Sequence, residues 1–267
     1  VIDGSTRVYA LLGDPVAHSL SPAMQNAAFR ALGLPAVYVP LRCAPGDVAA
    51  LVRALARAGG GGNVTIPHKE AAAGAVDRLL KTAHEVGAAN TFWARDGEVV
   101  GDNTDVRGVL AAVEQLAPPE GPWLIVGTGG GARAAVVAAA RRGASVAVRS
   151  RSPERARALE RWADERGLVR AQAAECVVVI NATPLGLDAG DAPPVTRDEV
   201  PAARVALDMV YRPGETAWVH TLRAAGLRSA DGRAMLVAQG AAALECWFAG
   251  VDAPVEIMRA ALDAALR

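Results

Sequence analysis

The run Gly127-Thr128-Gly129-Gly130-Gly131-Ala132 carries the most specific chemistry in this sequence. It fits GxGxxG/A, follows the apolar stretch Trp123 to Val126 and opens the alanine-rich stretch Ala132 to Arg142. Between a strand and a helix, the first glycine of such a run permits a tight turn. The second lets a pyrophosphate approach the backbone, and the small last residue keeps helix and strand close. The helix amides and dipole then favour the phosphate charge. Glycine-rich turns have many causes; the flanking strand and helix give this one its meaning. The next apolar strand ends at Arg149-Ser150-Arg151-Ser152, with Arg155 close behind. An acid at that tip would hold the ribose hydroxyls of NAD, whereas arginines without an acid suit the extra phosphate of NADP. The plainer reading of the same arginines is a solvated surface.

A second set of polar residues lies earlier in the chain. It comprises Ser19 and Ser21, then Asn63, Thr65 and Lys69, then Asn90, and finally Asp105. Passing a hydride from a secondary alcohol to a nicotinamide needs a protein group to take the hydroxyl proton. These residues fall at the ends of predicted strands, where open α/β sheets bind ligands. Pro67 limits the strand before it, which leaves Lys69 just past its end as a candidate for proton exchange. A nearby Asp105 carboxylate would couple to it. On spacing alone Lys69 also fits an ordinary surface lysine, and Asp105 and Ser21 fit helix N-caps. Asn90 fits a turn, and His18 and His68 fit packing or hydrogen-bonding roles.

The elements that must position these residues read as α/β. Strands are predicted at Val8 to Leu12, Ala36 to Leu41 and Asn63 to Ile66. Between them lie a helix opened by Ser21-Pro22 and stopped by Gly33, and another over Gly46 to Ala58, ended by the glycines 59–62. Alternation of this kind implies parallel sheets. Asp96-Gly97 between Thr91–Trp93 and Glu98–Val100 reads as a hairpin. Ala117-Pro118-Pro119-Glu120-Gly121-Pro122 has linker composition, so a domain boundary is expected near it, with the preceding helix as connector. A second series follows, with strands at Trp123–Val126, Ser145–Val148, Val177–Ile180 and Val205–Met209. Its helices are at Ala132–Arg142 and Pro153–Arg166. Two last helices, about Arg233 to Ala249 and Pro254 to Leu266, end the chain.

Bulk composition narrows the function classes. The chain has 267 residues, 52% of them hydrophobic, with 28 basic and 28 acidic side chains. A net charge near zero gives no electrostatic reason to expect nucleic acid or an anionic membrane as partner. Leu236 to Val251, with Gln239 and Glu245 inside it, is too short and polar to span a bilayer. The 3 cysteines have no CxxC spacing and read as reduced thiols of a cytoplasmic protein. The 4 histidines show no HExxH or HxxxH spacing, so no metal site is expected. No secretory signal is recognised. The first residue is Val1 rather than methionine, so it need not be the native start.

From about residue 8 to residue 250, the ordered motifs resemble those of the shikimate dehydrogenase family. They are Gly13-Asp14-Pro15-Val16-Ala17-His18-Ser19-Leu20-Ser21-Pro22, Asn63-Val64-Thr65-Ile66-Pro67-His68-Lys69, Gly87-Ala88-Ala89-Asn90-Thr91 and Asn103-Thr104-Asp105. The glycine loop, Asn181-Ala182-Thr183-Pro184-Leu185-Gly186, Asp208-Met209-Val210-Tyr211 and Met235-Leu236-Val237-Ala238-Gln239-Gly240 complete the set. The resemblance implies an N-terminal α/β substrate domain, residues 1–106, to which the helices of 238–267 return, and a Rossmann-type NADP domain, residues 107–237. It implies Lys69 and Asp105 as the catalytic pair. Ser19, Ser21, Asn63, Thr65, Asn90, Tyr211 and Gln239 become binders of shikimate. Gly127, Thr128, Gly129, Gly130, Gly131, Ser150, Arg151, Ser152 and Arg155 become NADP contacts, with Met209 and Gly232 beside the nicotinamide. The implied reaction is reversible reduction of 3-dehydroshikimate by NADPH, by a monomer or homodimer. Two alternatives stand beside it: a quinate/shikimate dehydrogenase with relaxed substrate or cofactor choice, and a non-catalytic dinucleotide-binding regulator. The departures are small. The family's usual Asn-Arg-Thr reads Ser150-Arg151-Ser152, Ala234 replaces a glycine, and Thr128 and Gly131 replace alanines.

Overall fold

The computed structural model describes residues 2–188 and 190–267; Val1 and Ala189, which fall within the two expected domains, lie outside the described residues. The chain forms two compact units, Val1–Thr104 with Leu236–Arg267, and Asp105–Met235.

The first unit opens with β1 (Arg7–Gly13), α1 (Ser21–Ala31), β2 (Ala36–Arg42), α2 (Val48–Arg57) and β3 (Gly61–Val64). It continues through α3 (Lys69–Ala75), β4 (Arg78–Leu79), α4 (Lys81–Val86), β5 (Thr91–Arg95) and β6 (Glu98–Asp102). Its strands form one sheet in the order β2-β1-β3-β5-β6-β4. The side-chain period of two along β1 sorts its residues between two cores. Tyr9 and Leu11 join Met24, Phe29, Tyr38 and Trp247 on one face. Ala10 and Leu12 join Val48, Val52 and Ala56 on the other.

Three expectations are corrected here. The sheet is mixed, not parallel: β1 runs parallel to β2 and β3, but β3 pairs antiparallel with β5. Only short elements, α3, β4 and α4, separate β3 from β5, and a parallel return generally takes a full crossover helix. The third strand lies at Gly61–Val64 rather than Asn63–Ile66, so it begins within the glycine run that follows the end of α2. Close backbone packing explains glycine in a strand: a Cβ on Gly62 would sit 2.0 Å from the Ala10 carbonyl oxygen. Ser21 is the first residue of α1 rather than its cap, because Leu20 takes the cap position. The hairpin is as expected, with Asp96 at φ 53° and Gly97 at φ 83° joining β5 and β6.

The second unit runs through α5 (Asp105–Gln115), β7 (Trp123–Val126), α6 (Gly130–Arg141), β8 (Val146–Arg149) and α7 (Pro153–Asp164). It ends with β9 (Val178–Asn181), β10 (Val205–Asp208), α8 (Ala217–Ala224) and β11 (Arg228–Ala230). Its sheet is parallel, in the order β11-β10-β9-β7-β8. All four residues of β7 are buried, as a central strand covered on both faces requires. β7 lies between β8 and β9, so the strand order reverses there, and a crevice at such a point is the usual ligand site of an open α/β sheet. Helices α9 (Arg233–Trp247) and α10 (Val255–Ala265) follow. Met258 and Leu262 of α10 join Met24 and Phe29 of α1 in the first unit's core. Among the described residues no helix is long and apolar enough to cross a membrane.

Candidate functional site

In the first unit, strand ends and one returning helix bring polar residues together. The Thr65 amide donates to the Leu12 carbonyl at 2.8 Å, which holds the segment after β3 against β1. His68 is buried, and its Nε2 donates to the Cys43 carbonyl at 2.9 Å, so it is a hydrogen-bonding residue, while His18 is exposed. Lys69 opens α3 half-buried, and its carbonyl accepts from the Ala89 amide at 2.9 Å. That bond sets Lys69 beside the segment carrying Asn90.

Asn90 is the hub of this half. Its Oδ1 accepts from the Thr104 amide at 2.7 Å, and its Nδ2 donates to Gln239 Oε1 at 3.3 Å. Its carbonyl accepts from Asn63 Nδ2 at 3.1 Å, while Asn63 Oδ1 accepts from the Tyr38 hydroxyl at 2.9 Å. Asn63, Asn90 and Gln239, drawn from three distant stretches, therefore form one buried network. At the start of α1, the buried Ser21 donates its amide to Ser19 Oγ at 3.3 Å. The same helix reaches α9 through Gln25 Nε2, which donates to the Gly240 carbonyl at 2.9 Å, next to Gln239. Tyr38 and Thr104 were not anticipated as parts of the site. Their signals were weak, since Tyr38 reads as ordinary strand core and Thr104 only as part of a motif.

The second unit holds the glycine loop at the C-terminal end of β7. Gly127 has φ 120°, and a Cβ there would stand 2.8 Å from the Ala182 carbonyl oxygen, so only glycine fits. At Gly129 a Cβ would meet nothing within 4 Å, which leaves open space in front of the loop. Gly129 occupies the cap position of α6 and, lacking a side chain, does not itself cover the leading amides of that helix. An anionic pyrophosphate suits such an opening. The loop's flank includes Met209, whose Sδ is 3.4 Å from a Cβ built on Gly131. Gly232 packs against the same residue, and a Cβ there would lie 2.3 Å from the Met209 carbonyl oxygen. Gly131, Met209 and Gly232 are thus neighbours despite their separation in sequence. Asp105 is buried in the first turn of α5, and Tyr211 is half-buried just past β10.

The tip of β8 is built by its serines. Ser150 Oγ accepts from the Ser152 amide at 3.2 Å, and Ser152 caps α7 by accepting from the Arg155 amide at 3.3 Å. Arg149 is ion-paired with Glu199, and the Thr196 amide and the Arg149 guanidinium hold the Glu199 carboxyl below the usual range. Arg151 and Arg155 are exposed. Among the described residues Arg151 makes no ion pair, so its guanidinium is available to a phosphate. No group of three or more His, Cys, Asp or Glu among the described residues is placed to hold a metal ion.

Behind this face, burial pushes Asp208 up from an ordinary 3.8 to about 6; the neighbouring Asp231 adds to the rise, while bonds from Thr216, Val210 and Asn181 oppose it. The folded state therefore holds this proton more tightly than the unfolded chain. Stability from this group is fully present below pH 4 and is lost as pH rises through about 6, a cost of roughly 3 kcal/mol at neutrality. Denaturation midpoints of the wild type and Asp208→Asn across pH 4–8 are expected to diverge in that window, the variant gaining as pH rises. A constant difference would place the titration elsewhere.

Comparison with known proteins gives a consistent answer along the chain. Residues 11–92 match the family model described as the shikimate dehydrogenase substrate binding domain, and residues 232–262 match that of the shikimate 5'-dehydrogenase C-terminal domain. A shikimate dehydrogenase (NADP(+)) of Rubrobacter xylanophilus is 43% identical, over 98% of this chain and 97% of its own. That of Methanothermobacter thermautotrophicus is 38% identical, over 100% and 99%. The crystal structure of shikimate 5-dehydrogenase from Thermus thermophilus, in complex with NADP(H) and shikimate, aligns with a TM-score of 0.85 at 37% identity. It covers 97% of this chain and 100% of that one.

Proposed function

The chain belongs to the shikimate dehydrogenase family, and from that membership we propose that it is an NADP-dependent oxidoreductase interconverting 3-dehydroshikimate and shikimate, a step toward aromatic amino acids. The observation that carries the reading is the buried network of Asn63, Asn90 and Gln239 beside Thr65 and Lys69, held at one end of the first unit's sheet. A structural core needs no such density of uncharged hydrogen-bonding groups, whereas a polyhydroxylated ring acid does.

Bound NADP supplies the hydride acceptor in one direction and, as NADPH, the donor in the other. In the proposal the chain's own groups do the rest. Lys69 Nζ takes the proton from the reacting hydroxyl as that carbon becomes a carbonyl, and returns it in the reverse direction. Asp105 is assigned to the same proton step. Ser19 and Ser21 hold the substrate carboxylate through short hydroxyl donors, and Asn63, Thr65, Asn90, Tyr211 and Gln239 orient the ring hydroxyls. Gly127 to Gly131 and the amides opening α6 receive the pyrophosphate, and Ser150, Arg151, Ser152 and Arg155 receive the adenosine phosphate. Met209 and Gly232 flank the nicotinamide. The free thiols Cys43 and Cys176 suit a reducing compartment, so a cytoplasmic location belongs to the proposal, as does a monomer or homodimer.

The test is direct. Purified protein given NADP and shikimate is expected to raise absorbance at the reduced-nicotinamide band, and to leave simple aliphatic 2-hydroxy acids unchanged. No turnover at any pH with either cofactor would falsify the assignment. Shikimate is also expected to exceed quinate in kcat/KM by at least about tenfold. Quinate adds a hydroxyl on a saturated carbon beside the carboxylate, and a buried oxygen without a partner costs about 1–3 kcal/mol. Equal kcat/KM for the two acids would favour the relaxed-specificity alternative.

A further inference from the structure

We propose that Asp208 is a positioning residue for the cofactor site: it ties the segments after β9 and β10 to each other and so fixes the surroundings of the glycine loop. The inference rests on the reading of that loop as an NADP site. The carboxylate has no exposure and stands at the C-terminal end of β10. Its Oδ1 accepts from Asn181 Nδ2 at 2.8 Å and from the Val210 amide at 3.0 Å, and its Oδ2 accepts from Thr216 Oγ1 at 2.8 Å.

Each partner leads to a different segment. Asn181 Nδ2 also donates to the Leu185 carbonyl at 2.9 Å, and its Oδ1 accepts from the Thr183 amide at 3.0 Å, so Asn181 pins the turn that begins at Ala182. Thr216 Oγ1 accepts from the Val219 amide at 3.3 Å and caps α8. Val210 accepts, through its carbonyl, the Gly232 amide at 3.0 Å. Ala182 and Met209 are the groups nearest the absent side chains of Gly127 and Gly131. One carboxylate therefore connects, through three donors, the segments that bear on the glycine loop.

Two features argue for a role in function rather than in holding the fold. Charge at this position lowers stability at neutral pH, as derived above, so stability alone does not account for an acid there. An ionised carboxylate accepts all three bonds at once, which no apolar side chain of similar size can do. Asparagine comes close: its Oδ1 can keep both amide donors, and its Nδ2 can donate to Thr216 Oγ1.

The experiment compares wild type, Asp208→Ala, Asp208→Asn and Thr216→Val. It measures calorimetric titration with NADP, Michaelis constants for both substrates, and melting temperature. Asp208→Ala is expected to weaken NADP binding by about tenfold or more, since it leaves buried donors unpaired, with the shikimate KM within about twofold of wild type. Asp208→Asn is expected to recover NADP binding to within about threefold of wild type. Unchanged NADP binding in the alanine variant overturns the proposal. Parallel losses for NADP and shikimate with a lowered melting temperature also overturn it, because they mark a general brace. If the alanine variant does not fold, Thr216→Val decides. A loss of about threefold or more for NADP alone supports the role, and no loss overturns it. A wild-type protein that fails to bind NADP defeats the reading of the loop itself and this inference with it, and that result is visible before any variant is compared.

Discussion

Lys69→Ala is expected to lower kcat by about 10²–10⁴, the usual worth of a general acid–base group, while shikimate binding weakens much less. The structure sharpens the case for this residue over its neighbours. Lys69 is the first residue of α3, and a cation in the first turn is the unfavourable sign for a helix dipole. Helix stability therefore does not select lysine here. Its carbonyl bond to Ala89 belongs to the backbone and survives truncation of the side chain, so the variant keeps the placement of the Asn90 segment. A loss in kcat with a preserved melting temperature is then assignable to the missing amine. Steady-state kinetics with shikimate varied at saturating NADP reads the two constants separately. A variant with near-normal kcat would reduce Lys69 to a surface or binding residue. Asp105→Asn is expected to slow turnover as well, by removing the carboxylate assigned to the same proton step.

Arg151→Ala is expected to weaken NADP by roughly 10- to 150-fold and to leave NAD nearly unchanged, because losing a charged, hydrogen-bonded contact typically costs about 1.5–3 kcal/mol. Two arginines border the tip of β8, and the structure separates them. Arg149 is already paired with Glu199, whereas Arg151 is exposed. Replacing Arg149 is accordingly expected to matter less. The comparison uses dissociation constants for both dinucleotides in one buffer, since charge-assisted contacts weaken with salt. Equal losses for NADP and NAD would indicate a disturbed loop. Ser150 and Ser152 are poorer choices for this comparison, because each accepts an amide hydrogen bond within the loop and each is also assigned to the adenosine phosphate.

The parts of this protein legible in its sequence are those governed by neighbours in the chain. Asp96-Gly97 announces its hairpin because both residues tolerate positive φ. The glycine loop announces itself because strand, turn and helix are contiguous. The direction of β5 could not be read this way, since pairing with β3 is decided by how the short elements between them return the chain. The strand character of Gly61 and Gly62 was hidden too, because their lack of side chains answers the closeness of Ala10 and Phe92. Within the site, residue types followed from family motifs, but their partners did not. Asn90 meets Gln239 across 149 positions, and Asn181 meets Asp208 across 27. Ser21 illustrates the finer limit, since a one-residue shift in where α1 begins turned a capping residue into a helical one.

The first unit is assembled from two separated lengths of chain, and this has a consequence for its synthesis. Tyr9, Phe29 and Tyr38 pack against Trp247 and Phe248, and Trp247 Nε1 donates to Thr91 Oγ1 at 2.9 Å. On a ribosome, residues 2–104 emerge first, yet their aromatic face has no cover until residues 236–267 have been made. All of Asp105–Met235 must be translated in between. That segment has its own sheet and core, so it can complete its fold while the earlier segment is still waiting. The nascent chain thus carries an uncovered apolar surface for more than a hundred residues of elongation, at about 5–20 residues per second. The middle segment, complete in itself, can therefore close before the half that precedes it in the chain.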